Sequence, residues 1–223
     1  MTGALPAARR ATLHRRVRFI VGVSISYNII EAVVAIWAGA LASSAALIGF
    51  GLDSVVEVLS AAAIAWQYTR KHPERWEKVT VRGVGLAFFA LAAYVSVDAL
   101  IGLINREGPE HSPLGVAITA LSLVVMPLLA WLEVRTGREL GSRSVTADAK
   151  QLVLCVYLSA AVFVGLILNG VLGWWWADSV AALVVAFLAV REGIEAWSGD
   201  VESPFEVLEG LGPAGDEQRL PHP

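Results

Sequence analysis

Charge and cysteine are what this chain has least of. Only 17% of its 223 residues are Asp, Glu, Lys or Arg, and it carries a single cysteine, Cys155. One thiol excludes an intramolecular disulfide, so the fold owes nothing to oxidation. So little charge, beside 56% hydrophobic residues and a mean hydropathy of +0.62, excludes an ordinary soluble domain. A helix needs about 20 apolar residues to cross a hydrocarbon core of roughly 30 Å. Six runs reach that length: Val17 to Ala42, Ala45 to Tyr68, Val81 to Ile104, Pro113 to Val134, Val145 to Leu172 and Trp174 to Trp197. They leave only short loops. The expected fold class is all-α, a polytopic membrane protein with six transmembrane helices. Residues 1–16 form a basic cytosolic N-terminus, 17–197 the membrane domain, and 198–223 an acidic, Gly- and Pro-rich tail expected to be disordered in the cytosol. Lipids are its surroundings, and no nucleic-acid partner is expected.

The few basic residues are unevenly placed. They cluster in Arg9 to Arg18, Arg70 to Arg82 and Arg135 to Lys150, with Arg191 and Arg219 at or beyond the last span and Arg106 alone on the opposite side. Lys and Arg near span ends stay on the cytoplasmic side. Both termini are therefore expected in the cytoplasm of a multi-pass cell-membrane protein. The start HRRVRFIVG has a twin-arginine look, but the apolar stretch is too long for a signal and holds Asn28 and Glu31, so it reads as a retained first span.

Against this apolar background, acids inside the spans stand out. The second span contains GFGLDSVVEVLS, with Asp53 and Glu57 four residues apart. A charged group at a helix centre costs about 2.5 to 3.5 kcal/mol on insertion, so intramembrane acids point first to function. Residues four apart share a helix face, with Cβ atoms about 5 to 6 Å apart. Two carboxylates converging there repel unless a proton or cation lies between them. The structural alternative pairs them with hydroxyls such as Ser24, Ser26 or Ser54 as interhelical glue. In the first span Ser24, Asn28 and Glu31 form one polar stripe. Glu31 and Asn28 are candidates for an auxiliary or proton-coupling role, with interhelical hydrogen bonding nearly equal for Asn28.

In the fifth span, SVTADAKQLVLCVYLSA places Asp148, Gln151 and Cys155 on one face, with Asp148 a further candidate for an auxiliary or proton-coupling role. A buried cysteine is often an inert small hydrophobe, yet a thiolate is also a soft ligand suited to zinc. Asp98 lies toward the outer end of the third span. Asp178, in GWWWADSVAAL, follows three tryptophans suited to an interfacial belt and suits the positive end of a helix dipole; it reads as structural. Ala177, Ala181 and Ala182 would allow close helix packing. An intramembrane protease motif GxGD is approached by GFGLD, one residue too long, and Asp98 is wrongly placed as its partner. The chain is not expected to be an enzyme.

The LIGFGLDSVVEVLSA of the second span, the SRSVTADAKQ entering the fifth and the GWWWADSVAALVVA of the sixth, in this order, resemble the cation diffusion facilitator (cation efflux) family. The likeness covers about Val17 to Trp197. It implies a homodimeric transporter that exports a divalent metal, zinc first, by proton antiport and alternating access. It also implies a tetrahedral metal site from Asp53 and Glu57 with a fifth-helix pair, which falls on Gln151 and Cys155, where His or Asp is usual in the family. That substitution admits Mn2+, Cd2+, Co2+ or Fe2+ beside Zn2+, each as cargo, with no permanently bound cofactor. The tail is too short for the cytosolic α/β domain common in the family, so the chain resembles the reduced six-helix form. The rival is a degenerate, non-transporting member with an assembly or regulatory role.

Overall fold

The structure, a computed structural model, describes residues 7–68, 74–106, 108–140 and 143–198; the side chains of 7–8, 10, 14, 64–65, 67–68, 74–77, 137, 140 and 143–151 lie outside the description. Of the expected tail, 198–223, all but Ser198 lies outside the described residues. The described chain folds into α1 (Ala7–Ala42), α2 (Ala45–Tyr68), α3 (Glu74–Asn105), α4 (Pro113–Leu140), α5 (Arg143–Leu172) and α6 (Ala177–Ser198), with no strand among the described residues. Lipid offers no partner for a backbone N–H or C=O, so an apolar chain of this length satisfies them within helices. The protein is a polytopic all-α membrane protein.

Five helices hold stretches long and apolar enough to cross a membrane: Ala11–Ala42, Ala45–Ala63, Lys78–Asn105, Pro113–Thr136 and Leu152–Leu172. The sixth apolar run is weaker than its sequence suggests. α6 starts at Ala177, not Trp174, and within its 22 residues it carries Asp178, Arg191, Glu192 and Glu195. The reason is local. Gly173 adopts φ +67°, the left-handed conformation that ends α5, and the Trp174 N–H bonds back to the Leu168 carbonyl at 3.3 Å. The tryptophans then form a turn, closed by the Ala177 N–H on the Trp174 carbonyl at 2.9 Å. Trp174 and Trp176 stack there with centroids 5.1 Å apart.

α1, α2, α4 and α5 pack around one another, and α3 with α6 forms a pair that leans on α2 and α5. Large side chains hold the centre: Phe50, Val95, Val185 and Leu166 bury together across α2, α3, α6 and α5, while Ile20, Met126, Leu129 and Leu152 join α1, α4 and α5. Small residues bring backbones close. A Cβ on Gly51 would lie 2.9 Å from the Ile36 nitrogen, and one on Gly39 would lie 2.8 Å from the Ile48 nitrogen. α1 and α2 therefore touch nearly backbone to backbone, which sets Asn28 and Glu31 beside the acids of α2. Gly49 faces the opposite way, toward Val95 and Val185. The GFG preceding Leu52 and Asp53 is thus a two-sided packing device. The expected role of the α6 alanines is met in the same way: a Cβ on Gly165 would lie 2.8 Å from the Ala181 Cβ and 3.2 Å from the Ala177 carbonyl oxygen.

The connections 42–45, 105–113 and 172–177 gather at one end, where the Glu110 N–H bonds the Ala42 carbonyl and Asn169 Nδ2 bonds the Pro109 carbonyl, both at 2.8 Å. At the other end Arg9 of α1 pairs with Glu139 of α4 at 2.6 Å.

Candidate functional site

The polar stripe of α1 and the acid pair of α2 meet in the interior. Glu57 is the hub. Its Oε2 accepts from Asn28 Nδ2 at 2.9 Å, and its Oε1 accepts from Cys155 Sγ, also at 2.9 Å. One carboxylate thus joins α1, α2 and α5. Asp53, one turn before Glu57, is 5% exposed and lies within electrostatic reach of Glu57, Glu192 and Glu31. No hydrogen bond reaches its carboxylate among the described residues.

Cys155 is buried among Met126, Leu129 and Leu152 on one side and bonded to Glu57 on the other. The soft, apolar reading and the ligand reading of this thiol therefore describe two faces of one side chain. α5 also carries Asp148 and Gln151, whose side chains lie outside the described residues. Among the described residues, no three His, Cys, Asp or Glu side chains converge on a ready-made metal cluster.

Glu31 makes a second polar centre. It is 1% exposed, accepts from Ser54 Oγ at 2.8 Å on one oxygen, and accepts from Ser122 Oγ on the other. Ser122 in turn meets the Tyr27 hydroxyl at 2.7 Å. Hydroxyls can donate or accept, so this shell can satisfy the carboxyl with or without its proton. The hydroxyl expected as a partner for the α2 acids is thereby spent elsewhere: Ser54 serves Glu31, and Ser26 bonds the Gly22 carbonyl of its own helix at 2.8 Å.

Asp178 stands apart from both centres. It sits in the first turn of α6 but caps a different helix, α2. Its Oδ1 accepts from Ser44 Oγ at 2.5 Å, its Oδ2 from the Ala46 N–H at 3.4 Å, and the Ala45 N–H also donates to it. Ser44 Oγ itself caps the Leu47 N–H at 3.1 Å. A carboxylate at the start of α2 satisfies donors that have no partner inside the helix and suits its positive dipole end. Asp98 lies near enough to act on Asp178 electrostatically, at the end of the bundle where the 42–45 connection lies.

Three participants were not legible as site residues: Tyr27, Ser122 and Glu192. Ser122 looked like one hydroxyl in an apolar run, although Thr119 three residues earlier gives α4 a small polar stripe. Glu133, inside the expected fourth span, is fully buried and was likewise not singled out. Glu192, inside the expected sixth span next to Arg191, lies within electrostatic reach of Asp53.

Residues 21–198 match the cation efflux transmembrane domain. The chain belongs to that family. An uncharacterized transporter of Synechocystis is 29% identical over 69% of this chain and 53% of its own length. The cation-efflux pump FieF of Shewanella oneidensis is 25% identical over 76% of this chain and 59% of its own length. The manganese efflux system protein MneP of Bacillus subtilis is 22% identical over 85% of this chain and 68% of its own length. The chain thus spans little more than half the length of several relatives it matches. Within this cation efflux domain, the acids of α2 lie in the interior, and Glu57 reaches Cys155 of α5.

Proposed function

We propose that the protein is a divalent cation transporter of the cell membrane, with both termini in the cytoplasm, that carries the ion outward by alternating access in exchange for protons. Asp53, Glu57 and Cys155 bind the ion, with Gln151 as the fourth ligand, and Zn2+ is the first candidate cargo. The single observation that carries this reading is the bond between Glu57 and Cys155, because it joins the two helices that must share a central ion. Relatives named as a manganese efflux protein and as a cadmium, cobalt and zinc/H(+)-K(+) antiporter support the cargo class and the antiport. The ligands must lose protons to bind metal, so binding releases protons and a pH gradient can drive the exchange. The basic residues at one end of the bundle support the orientation, and a homodimer is proposed by family resemblance.

Reconstitution in proteoliposomes tests it. Zn2+, Mn2+ and Cd2+ flux under an imposed pH gradient is expected in the parent protein and lost in Glu57→Ala. No flux of any of the three ions in the parent would favour the non-transporting reading.

A further inference from the structure

We propose that Asn28 is a ligand for the transported cation and tunes which ion is carried, bringing α1 into a site otherwise drawn from α2 and α5. This rests on the transporter reading above and adds to it a residue and a selectivity.

The argument starts from an amide with one end used and one end not. Asn28 is 7% exposed, and its Nδ2 donates to Glu57 Oε2 at 2.9 Å. Its Oδ1 is buried and has no hydrogen-bond partner among the described residues. Buried polar atoms are nearly always satisfied, and leaving one unsatisfied is unfavourable, so this oxygen calls for a partner that the described residues do not supply. A lipid-surrounded interior makes that need sharper.

Glu57 shows where the partner would be. Both of its oxygens are met by hydrogen donors, the Asn28 amide on one and the Cys155 thiol on the other. These donors occupy the positions where a cation would neutralise the carboxylate. A cation bound to Glu57 displaces them both. The thiol answers by giving up its proton. The amide answers by a half-turn about χ2, which exchanges nitrogen for oxygen at the same place and puts Oδ1 on the ion. One side chain then serves Glu57 in both situations: its N–H stands in for the cation before binding, and its oxygen coordinates the cation after. No redox change and no covalent step are involved.

The chemical class of the cargo follows from the donor set. Amide and carboxylate oxygens suit harder ions such as Mn2+, while thiolate suits softer ions such as Zn2+ and Cd2+. Asn28 and Cys155 therefore pull selectivity in opposite directions across Glu57. Removing the amide oxygen should penalise Mn2+ and spare Cd2+.

The test is calorimetric titration of the purified full chain in detergent with MnCl2 and with CdCl2. Asn28→Leu keeps the volume and removes the oxygen. It is expected to weaken Mn2+ binding by about tenfold or more and Cd2+ binding by no more than about threefold. Asn28→Asp keeps an oxygen and removes the N–H donor, and is expected to bind Mn2+ at least as tightly as the parent. Glu57→Ala, expected to lose both ions, separates the two claims. If Glu57→Ala binds both ions normally, the site and the role of Asn28 fall together. If Glu57→Ala loses binding while Asn28→Leu shifts Mn2+ and Cd2+ equally, the role of Asn28 alone falls. Should Asn28→Leu fail to fold by thermal melting, Asn28→Asp decides: parent-like or tighter Mn2+ binding supports the proposal, and its loss overturns it.

Discussion

Asp178 beside the 42–45 connection and Asp53 in the interior are both aspartates buried in apolar helices, exposed by 2% and 5% respectively. Their surroundings are opposite. Asp178 meets a hydroxyl and two backbone N–H groups, and in doing so completes the start of α2. Asp53 meets no hydrogen-bond donor among the described residues and faces Glu57, Glu192 and Glu31, all of its own sign. Burial alone therefore does not distinguish a joint from a binding group. A satisfied carboxylate stabilises the fold as it stands, whereas one surrounded by other acids lacks a compensating positive charge. The same contrast separates Glu31, enclosed by hydroxyls, from Glu57, held by two donors that a cation can replace.

Substitutions can break this comparison. The largest expected effect is on transport: Asp53→Ala should lower proteoliposome flux by more than about 100-fold, since weaker perturbations around metal ligands already cost tenfold to 100-fold. It should also raise the thermal midpoint, because it removes a buried acid that lacks a counter-charge. Asp178→Ala should do the reverse, lowering stability by about 2 kcal/mol through loss of a cap while leaving flux per folded molecule near the parent value. Chemical denaturation and flux measured on the same preparations check both signs. If Asp178→Ala abolished flux in folded protein, the division between joint and site would fail.

Smaller effects sharpen the picture. Ser122→Ala should cost about 0.6 kcal/mol, the average of interhelical hydrogen bonds in membranes, read from the unfolding midpoint. Arg9→Ala should cost only about 0.3 kcal/mol, since its pair with Glu139 is exposed. Metal affinity should rise with pH, by up to about tenfold per pH unit for each proton released on binding.

The sequence made the helices legible because lipid imposes length and apolarity on each one, and the end of α1 at Ala42 and the starts of α2 at Ala45 and α4 at Pro113 coincide with their apolar runs. α6 was misplaced at its start because tryptophan is apolar in any conformation, while the stop depends on Gly173. Asp53 and Glu57 were legible because spacing four fixes a shared face. The contact of Glu57 with Cys155 followed from the family resemblance. The link from Tyr27 through Ser122 to Glu31 was not, because nothing in one sequence says that α1 packs on α4. Ser44 escaped notice for a similar reason: its partner Asp178 lies 134 residues away. Glu133 and Glu192 lay inside the expected fourth and sixth spans, but each stands near an arginine and outside any spacing pattern, so nothing in the sequence singled them out.

The central claim is that Glu57 and Cys155 bind one cation between them. Cys155 is the only cysteine, so a thiolate-to-cadmium charge-transfer band in the ultraviolet spectrum can arise from no other residue. Titrating the purified protein with Cd2+ should produce that band, saturating at one ion per chain and absent in both Cys155→Ser and Glu57→Ala. Stoichiometric Cd2+ binding without the band, or a band that persists undiminished in Glu57→Ala, would contradict the account.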